Sequence, residues 1–335
     1  MKNAQHLLAT IAAIIVLAFF SVALTNCKTR EKAGETFEET LTKAEQGETD
    51  TDVETPHKAK KSDPEKTFEE TRAKAEQGDA EAQYNLGRCY YKGEGVEKNE
   101  IEAVKWFRQS AEQGFAEAQY NLGRCHYLGE GVEKNDLEAV KWSRKAAENA
   151  NANGQMLYGY LWANGEGVEK NEIEAVKWFR QSAEQGEEGG QYFLGESYAE
   201  GKGVEKNEVE AVEWYRKAAV QGLASAQFEL GMCYCTGKGV VKNEIEAIKW
   251  YRRAALQGYA ESLLSLGLSY DKGEGVKKND LLAYQWYLLA SAKGNETARE
   301  NVSAIEAKLT PKQRAEGQRL ATEWQAAFEK RKTKK

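Results

Sequence analysis

The sequence predicts an all-α protein, a right-handed α/α solenoid of six 36-residue helix-loop-helix repeats closed by a C-terminal pair of capping helices. One observation is a tryptophan that returns at a fixed interval, at Trp106, Trp142, Trp178, Trp214, Trp250 and Trp286. A second is a glycine with the same interval, at Gly87, Gly123, Gly159, Gly195, Gly231 and Gly267. A third is that none of the three prolines lies within the repeats, as an array of helices requires. A fixed period of this length is typical of stacked-repeat architectures.

The repeats occupy residues 80–295 without an insertion or a deletion. The six blocks are 80–115, 116–151, 152–187, 188–223, 224–259 and 260–295. In such a stack each block contacts only its neighbours, and the array presents a long surface rather than one enclosed pocket. Residues 67–79 match the second half of a block and are expected to form an N-terminal capping half-repeat. Residues 296–335 are expected to form the C-terminal capping helices and a basic tail.

Each block is predicted to contain two antiparallel helices, which we name A and B. In the first block helix A extends from about residue 80 to residue 91. A loop at 93–98 follows, and its glycines permit positive φ. We expect the loop valine, Val96 in the first block, to contact the core.

Helix B of the first block extends from about residue 100 to residue 113. Asn99 is its expected N-cap, with Glu102 completing a capping box. Ile101, Val104 and Phe107 fall at the spacing of one helix face. We expect the row of tryptophans to be structural, because each ring can bury a large apolar area.

The pattern of the blocks resembles the Sel-one-like repeat family, relatives of the tetratricopeptide repeat. In the first block the residues that carry the resemblance are Leu86, Gly87, Tyr90, Gly93, Gly95, Val96, Asn99, Ala103, Trp106, Phe107, Ala111 and Gly114. The segment 309–314 is similar to the closing helix of the family, with Thr310 as N-cap, Pro311 at the first helical position and Gln313 completing a capping box. The resemblance implies that helix A lines the concave face of the solenoid.

Residues 1–27 are predicted to be a signal peptide or a membrane or lipid anchor. Leu7–Leu24 is an uncharged apolar run that follows Lys2. The four residues that end at Cys27 resemble a bacterial lipobox, which makes Cys27 the candidate lipidation site. Residues 28–66 are rich in charged residues and are expected to form a disordered linker. We therefore expect an exported, membrane-associated protein in the bacterial periplasm or at the cell surface.

An anchor that keeps the repeats at the cytoplasmic face is the alternative. Lys28, Arg30 and Lys32 outnumber the single Lys2 on the other side of the apolar run. The positive-inside rule places the more basic flank in the cytoplasm.

The composition argues against nucleic-acid binding and against catalysis. The formal net charge is −6, with both signs mixed along the helices, so the chain lacks a basic stripe. No motif indicates a cofactor or a metal ion. His126 stands where the first block has a tyrosine, which favours a packing role. Cys89 and Cys125, in consecutive blocks, are expected to lie too far apart for a disulfide, and Cys233 and Cys235 to point to different sides of one helix.

Two further functions stay open at this stage. Ser269 and Lys272 match the Ser-x-x-Lys pattern of penicillin-interacting enzymes, although the companion motifs are absent. A cell-envelope hydrolase related to β-lactamases is therefore one alternative. An adaptor of a membrane protein quality-control complex, as eukaryotic relatives suggest, is the other, and the sequons at Asn295 and Asn301 would matter only there.

A stripe on helix A differs from block to block while the framework repeats. Its candidate partner-binding residues are Asn85, Arg88, Tyr91, Lys92, Asn121, Arg124, Tyr127, Leu128, Leu157, Tyr160, Phe193, Glu196, Glu229 and Met232. Along the stack the stripe changes from basic and aromatic, through apolar, to acidic. This gradient suits an extended peptide or a partner helix, and neutral drift on a solvated face is the competing interpretation. The leading hypothesis is a non-enzymatic scaffold with a protein or peptide partner.

Two junctions between blocks are predicted to be weak. After the second block the C-cap glycine is missing, and after the third block Gly189 and Gly190 fall in the first turn of the next helix. Ser143 also replaces the aromatic residue that other blocks have at this position. We expect a soft segment in blocks two to four.

Overall fold

The computed structural model describes residues 64–332, which form fifteen helices and no strand within that range. This confirms the all-α fold class. Helix α1 (Pro64–Glu76) leads the stack. The A helices are α2 (Ala80–Lys92), α4 (Ala116–Leu128), α6 (Ala152–Asn164), α8 (Glu188–Glu200), α10 (Ala224–Thr236) and α12 (Ala260–Lys272). The B helices are α3 (Glu100–Glu112), α5 (Asp136–Glu148), α7 (Glu172–Glu184), α9 (Glu208–Val220), α11 (Glu244–Ala255) and α13 (Asp280–Ala292).

Two helices, α14 (Glu296–Glu306) and α15 (Pro311–Lys332), follow the sixth block. From α1 to α14 each helix packs against the next one, and α15 packs back against α13. No helix in the described range is both long enough and apolar enough to cross a bilayer. The predicted signal or anchor segment, Cys27 and most of the predicted linker lie outside the described residues.

The loop of each block turns the chain through two glycines with positive φ. Gly93 and Gly95 both have φ of 74°. The Asn99 side chain then accepts a hydrogen bond from the Glu102 N–H at 3.1 Å, which confirms the predicted N-cap. The backbone N–H of Asn99 donates to the Tyr90 carbonyl at 2.8 Å and so ties the start of helix B to the end of helix A.

The predicted capping box is half formed. Because the Tyr90 carbonyl already takes the Asn99 N–H, the Glu102 carboxylate has no donor there. It accepts from Lys105 on its own helix instead. The same N–H to carbonyl bond recurs at the other N-cap asparagines, Asn135, Asn171, Asn207, Asn243 and Asn279.

The periodic glycine of helix A marks a close approach to helix B. A Cβ added at Gly87 would lie 2.6 Å from the ring of Phe107, which is far inside van der Waals contact. Equivalent glycines face the rings of Phe179, Tyr215, Tyr251 and Tyr287. The tryptophans contribute to the same core as predicted, because Trp142, Trp250 and Trp286 are buried and the other three are half-buried. Val96 also contacts the core from its loop.

Ile101 departs from the expected helix face. Its side chain is 61% exposed, whereas Val104 and Phe107 are buried. The equivalent residues of the next four blocks are similarly exposed, and we call the five the outer row: Ile101, Leu137, Ile173, Val209 and Ile245. The first turn of helix B therefore places this position at the edge of the stack rather than in the core. In block six the equivalent Leu281 lies near α15, since a Cβ at Gly317 would be 3.4 Å from its Cδ1.

Block two is packed differently from the other blocks. Gly123 faces the backbone N of Ser143, at 3.0 Å from a built Cβ, because no aromatic ring separates the two helices. Leu157 of the next block is only 5% exposed and packs in one cluster with Ala139 and Tyr120. We infer that Leu157 supplies apolar volume to a core that lacks the usual ring.

The junction after block two uses an alanine in a left-handed conformation. Ala150 has φ of 57° and stands where the other blocks have a glycine, for example Gly114 with φ of 94°. The next junction is different, because packing explains why residue 190 is a glycine. A Cβ at Gly190 would lie 2.3 Å from the Ser182 hydroxyl oxygen. The predicted softness of blocks two to four stays a prediction.

A ladder of buried amides joins successive blocks, which the sequence pattern does not predict. Gln119 donates to the Ala111 carbonyl at 3.1 Å and accepts from Asn149 at 2.9 Å. The same arrangement recurs at Gln83, Gln155, Gln191 and Gln227. Each amide thus satisfies a carbonyl in the last turn of a B helix, where helices leave acceptors without partners.

The C-terminal cap forms as the sequence predicts. Thr310 donates its N–H to the Gln313 side chain at 2.9 Å, and its hydroxyl accepts from the Gln313 N–H at 3.3 Å. Trp324 of α15 meets Trp286 edge to face, with ring centroids 6.1 Å apart. Trp324 and Phe328 are both buried, so α15 covers the last block.

Candidate binding face of the A helices

The predicted stripe lies on a continuous surface, which we call the A-helix face. It is formed by α2, α4, α6, α8 and α10. The A helices of blocks two, three and four contact one another directly. Residues 33 positions apart meet across neighbouring A helices, as Tyr127 and Tyr160 show with ring centroids 5.8 Å apart.

At the first two blocks the charges of the face are paired with each other. The Arg124 guanidinium lies 4.9 Å from the centre of the Tyr91 ring and 3.7 Å from a Glu130 carboxylate oxygen. The Tyr91 hydroxyl donates to the same carboxylate at 2.8 Å. This triad links block one to block two. It also means that the Glu130 carboxylate already balances the charge of Arg124.

The other stripe residues of these blocks differ in whether they have a hydrogen-bond or ion-pair partner within the described chain. Lys92 lies 3.5 Å from Glu94, and Asn121 donates to a carbonyl of its own helix at 2.8 Å. Arg88 has only the Tyr84 ring beside it, at 5.8 Å, and no carboxylate partner among the described residues. Leu128 is half exposed. Arg88 is therefore the one cation of this stripe segment whose charge is not balanced by a neighbour within the described chain.

The middle of the face is an aromatic ridge. The hydroxyls of Tyr127 and Tyr160 lie 3.4 Å apart. The Tyr160 ring lies 5.5 Å from Phe193, which in turn stacks on Phe179 at 5.1 Å. The rings of Tyr127, Tyr160 and Phe193 are half-buried, whereas Phe179 is buried beneath them. Leu157 does not join them at the surface, because it lies in the core, and we remove it from the candidate set.

At blocks four and five the face is acidic and its charges are not all paired. Glu196 and Glu229 stand 33 positions apart, in the register that brings Tyr127 to Tyr160. Neither carboxylate has a hydrogen bond or an ion pair within the described residues. Burial, and then the charge of Glu200, raises the pKa of Glu196. Burial, and then the charges of Glu196 and Glu200, raises the pKa of Glu229.

These carboxylates border a depression of about 230 Å³ between α8 and α10. We call it the acidic depression, and its lining is Glu196, Ala199, Glu200, Lys206, Glu208, Ala211, Tyr215, Glu229, Met232, Cys233, Thr236 and Lys238. A smaller depression of about 140 Å³ beside Phe193 shares Glu196 with it. Both open on the A-helix face, so the predicted stripe residues Glu196, Glu229 and Met232 do come together.

Tyr215 of a B helix and Lys238 of a loop also line this site, and neither is predicted from the stripe. The second loop position reads Glu94, Glu130 and Glu166 in blocks one to three, then Lys202 and Lys238 in blocks four and five. In blocks one, two, four and five its sign opposes the sign of the stripe, as the Arg124–Glu130 and Glu200–Lys202 ion pairs show. This reversal is visible in the sequence and could have located the site.

Residues considered for chemistry have structural roles. The buried His126 ring lies 3.3 Å from Arg108, and the equivalent tyrosines pair with arginines in later blocks, as Tyr198 does with Arg180 at 2.7 Å. Burial, and then Arg108, lowers the pKa of His126. The Ser269 hydroxyl donates to the Ser265 carbonyl of its own helix at 2.8 Å, as a serine inside a helix commonly does.

The cysteines and the acidic side chains form no further centre in the described range. The four cysteines of the repeats are free. Burial raises the pKa of the Cys125 thiol to about 12 and that of the Cys233 thiol to about 11, which makes both unreactive at neutral pH. No group of histidine, cysteine, aspartate and glutamate residues there could hold a metal ion.

Comparison with known proteins assigns the repeats. The sequence profile of the Sel1 repeat matches residues 80–115, 116–151, 152–187, 189–223, 224–259 and 260–295. The crystal structure of a protective antigen present in uropathogenic Escherichia coli strains, which displays an SLR fold, is 37% identical with a TM-score of 0.64. That match covers 76% of this chain and 56% of the antigen, so the chain spans little more than half of that protein.

A second solved structure gives a similar result. The crystal structure of a Sel1 repeat protein from Oxalobacter formigenes is 37% identical to the chain, with a TM-score of 0.63. The match covers 68% of this chain and 91% of that protein. No functionally curated protein matches the chain.

Proposed function

The chain belongs to the Sel1 repeat family, whose members are generally protein-interaction scaffolds, and from that premise we propose that its A-helix face binds an extended peptide or a partner helix. The observation that carries the proposal is the contrast between a repeated framework and a variable, incompletely paired face. Most framework positions keep the same residue type from block to block, with exceptions such as Ser143 and Ala150. Glu196, Glu229 and Arg88 vary among the blocks and have no ionic partner in the described chain.

Three properties of the face support a linear partner. First, the A helix of block three contacts the A helices of blocks two and four directly, so the A helices of these blocks lie on the more closely spaced side of the stack. Second, half-buried rings at Tyr127, Tyr160 and Phe193 offer apolar contact at its centre, and aromatic residues are enriched at the centres of protein interfaces. Third, unpaired charges of opposite sign stand at its two ends. A partner with an acidic end and a basic end would match this order in only one direction.

We further propose that the N-terminal segment attaches the scaffold to a bacterial membrane, on its outer side. The apolar run Leu7–Leu24 and the lipobox-like Cys27 support attachment. The test is metabolic labelling with a radioactive fatty acid. Label in the native chain and none in Cys27→Ala would support acylation, whereas membrane association without label would favour an uncleaved anchor.

The binding proposal is tested by affinity capture from envelope extracts of the source bacterium. The informative variant is Glu196→Lys/Glu229→Lys, which reverses the acidic end of the face. Its matched control is Glu112→Lys/Glu184→Lys, which makes the same charge change on exposed positions at the ends of two B helices. Circular dichroism melting would establish that both variants fold.

The A-face variant should lose captured proteins that the native chain and the control variant both retain. Replacing Arg88 by Glu should weaken capture of the same proteins, because it removes the unpaired cation at the other end. An identical set of captured proteins from the native chain, the A-face variant and the control would contradict binding at this face.

A further inference from the structure

We propose that the acidic depression between α8 and α10 is a binding site for a single alkylammonium group, the chemistry of a lysine side chain on the bound partner. This inference rests on the proposed function, because it names what the partner presents at one point of the A-helix face. The observations behind it are a tyrosine hydroxyl without a protein partner, two carboxylates without an ion pair and the apolar side chains beside them.

The first observation is the hydroxyl of Tyr215. This residue lines the depression and is only 4% exposed. Its hydroxyl makes no hydrogen bond within the described residues and is not one of the fully enclosed polar atoms, so it is accessible from the depression. The equivalent Tyr251 in the next block shows where such a hydroxyl points. It reaches Met232, at 3.1 Å from the sulfur, on the A-helix face. The residue in the same register for Tyr215 is Glu196, so its hydroxyl is directed toward the carboxylates.

The second observation is the charge balance of the depression. Its lining holds four glutamates and two lysines. Lys206 is bound to Glu208 at 3.0 Å, and Lys202 from the rim is bound to Glu200. Glu196 and Glu229 make no ion pair within the described residues. Lys202 lowers the pKa of Glu196 and Lys238 lowers that of Glu229, but burial and the neighbouring carboxylates outweigh both lysines. The pocket therefore has excess negative charge at the point where the Tyr215 hydroxyl ends.

The third observation is the character of the walls. Met232, Ala199 and Ala211 line the depression beside the polar groups. A methionine thioether is a soft, adaptable surface for a methylene chain. An alkylammonium has three donors and no acceptor, which matches two carboxylates and one phenol oxygen beside these apolar side chains.

A divalent metal ion fits the site less well. Calcium takes six to eight oxygen ligands and magnesium demands near-ideal octahedral geometry. The depression offers only two carboxylates that are not already bound to lysine. Lys238, which also lines the depression, would repel a doubly charged ion about twice as strongly as a singly charged ammonium at the same distance.

The experiment uses the methionine methyl groups as reporters. The chain has three methionines, Met1, Met156 and Met232, so selective ¹³C-methyl labelling of the full chain gives a spectrum that can be assigned with Met232→Leu. The probe is Nα-acetyl-lysine methylamide, and its matched control is Nα-acetyl-norleucine methylamide, which lacks only the ammonium group. Nα-acetyl-arginine methylamide distinguishes an ammonium site from a general cation site.

The lysine probe should shift the Met232 signal in a saturable manner and leave Met156 unchanged. The norleucine and arginine probes should shift it much less. Glu196→Gln/Glu229→Gln should weaken the lysine probe by about tenfold or more, the equivalent of about 1.4 kcal/mol. Glu117→Gln, an exposed glutamate on another A helix, should leave the affinity unchanged. Tyr215→Phe, which removes only the hydroxyl, should weaken binding by a smaller factor.

A Met232 signal that does not respond, or responds equally to norleucine, would overturn the proposal. An equal response to arginine would overturn the assignment to an alkylammonium, and an unchanged affinity in the double glutamine variant would overturn the site. Because the probes need no protein partner, their failure leaves the capture experiment on the A-helix face informative. Failure of capture with successful probe binding would instead reject the scaffold proposal and keep the site.

Discussion

The two ends of the A-helix face occupy the same framework and treat their charges in opposite ways. At blocks one and two, Arg124 and Tyr91 share the Glu130 carboxylate, so charge serves cohesion between repeats. At blocks four and five, Glu196 and Glu229 repel each other and have no partner within the described chain. A charged stripe seen in the sequence is therefore a binding candidate where the neighbouring loop leaves some of its charges unpaired.

The largest expected effect concerns the close approach beneath the acidic end. A Cβ at Gly195 would lie 2.8 Å from the Tyr215 ring and 3.3 Å from the Ala211 carbonyl. Gly195→Ala should lower the free energy of unfolding by about 1–3 kcal/mol, the usual cost of overpacking. Because the ring must move, the Met232 response to the lysine probe should also vanish. If urea unfolding gave the same free energy of unfolding for Gly195→Ala and for the native chain, the packing described for this end would be wrong.

The second largest effect is expected at the junction after block two, which lies between the two ends of the A-helix face. Ala150→Gly should raise the stability by about 1 kcal/mol, because a left-handed conformation costs an alanine that amount and costs glycine little. Gly114→Ala, at the equivalent position with no neighbour within 4 Å, should lower it by a similar amount. Hydrogen exchange should then show greater protection in blocks two to four of Ala150→Gly. Equal melting temperatures for the native chain and Ala150→Gly would reject this account of the junction.

The paired end can be tested by removing one hydroxyl. Tyr91→Phe deletes the donor to Glu130 and should cost about 1 kcal/mol, typical of a hydrogen bond to a charged or polar group. Tyr84→Phe is the matched control, because the Tyr84 hydroxyl has no hydrogen bond within the described residues. Chemical denaturation would distinguish the two. If both substitutions were neutral, the triad at the first two blocks would not be a source of cohesion.

The smallest expected effect has the opposite sign. Glu196→Gln/Glu229→Gln should raise stability at neutral pH by about 0.5 kcal/mol, because Glu196 and Glu200 are like charges four residues apart on one helix. The raised pKa values of Glu196 and Glu229 mean that the folded state holds these protons to higher pH than the unfolded chain. The native chain should therefore lose stability as pH rises from the ordinary glutamate range through the raised pKa values.

The double glutamine variant should not lose stability over this pH range. Its greater stability relative to the native chain should disappear near pH 4, where Glu196 and Glu229 are largely protonated in both the folded and the unfolded native chain. Unfolding curves at neutral and acidic pH would measure the difference. If the double glutamine variant were less stable than the native chain at neutral pH, the carboxylates of Glu196 and Glu229 would have stabilising partners in the folded state.

Most of the architecture could be predicted because it repeats. The periodic glycine and tryptophan fix the helix pair, and Asn99 and the Thr310–Gln313 pair behave as local capping chemistry requires. Contacts between blocks were harder, because sequence spacing within one helix does not show which neighbour a side chain meets. The prediction that Leu157 lies on the surface is wrong for this reason. Leu157 is buried because it compensates for Ser143 in the preceding block.

The candidate site shows the same limit. Glu196, Glu229 and Met232 were predicted from the stripe, but Tyr215 and Lys238 belong to a B helix and a loop. Ile101 was placed with the core by spacing alone, although a residue in the first turn of helix B is not covered by the next block. The Gln119 ladder was missed because a buried amide and an exposed one look alike in a sequence.

The measurement that tests the central claim most directly compares the two exposed surfaces of the stack. A photoreactive phenylalanine analogue is placed on the A-helix face at Leu128 or Glu200, and on the outer row at Ile101 or Ile173, all of which are exposed in the native chain. After irradiation in cells, the A-face positions should form adducts with a common partner protein, and the outer-row positions should not. Adducts from Ile101 and Ile173 without any from Leu128 and Glu200 would contradict binding at the A-helix face.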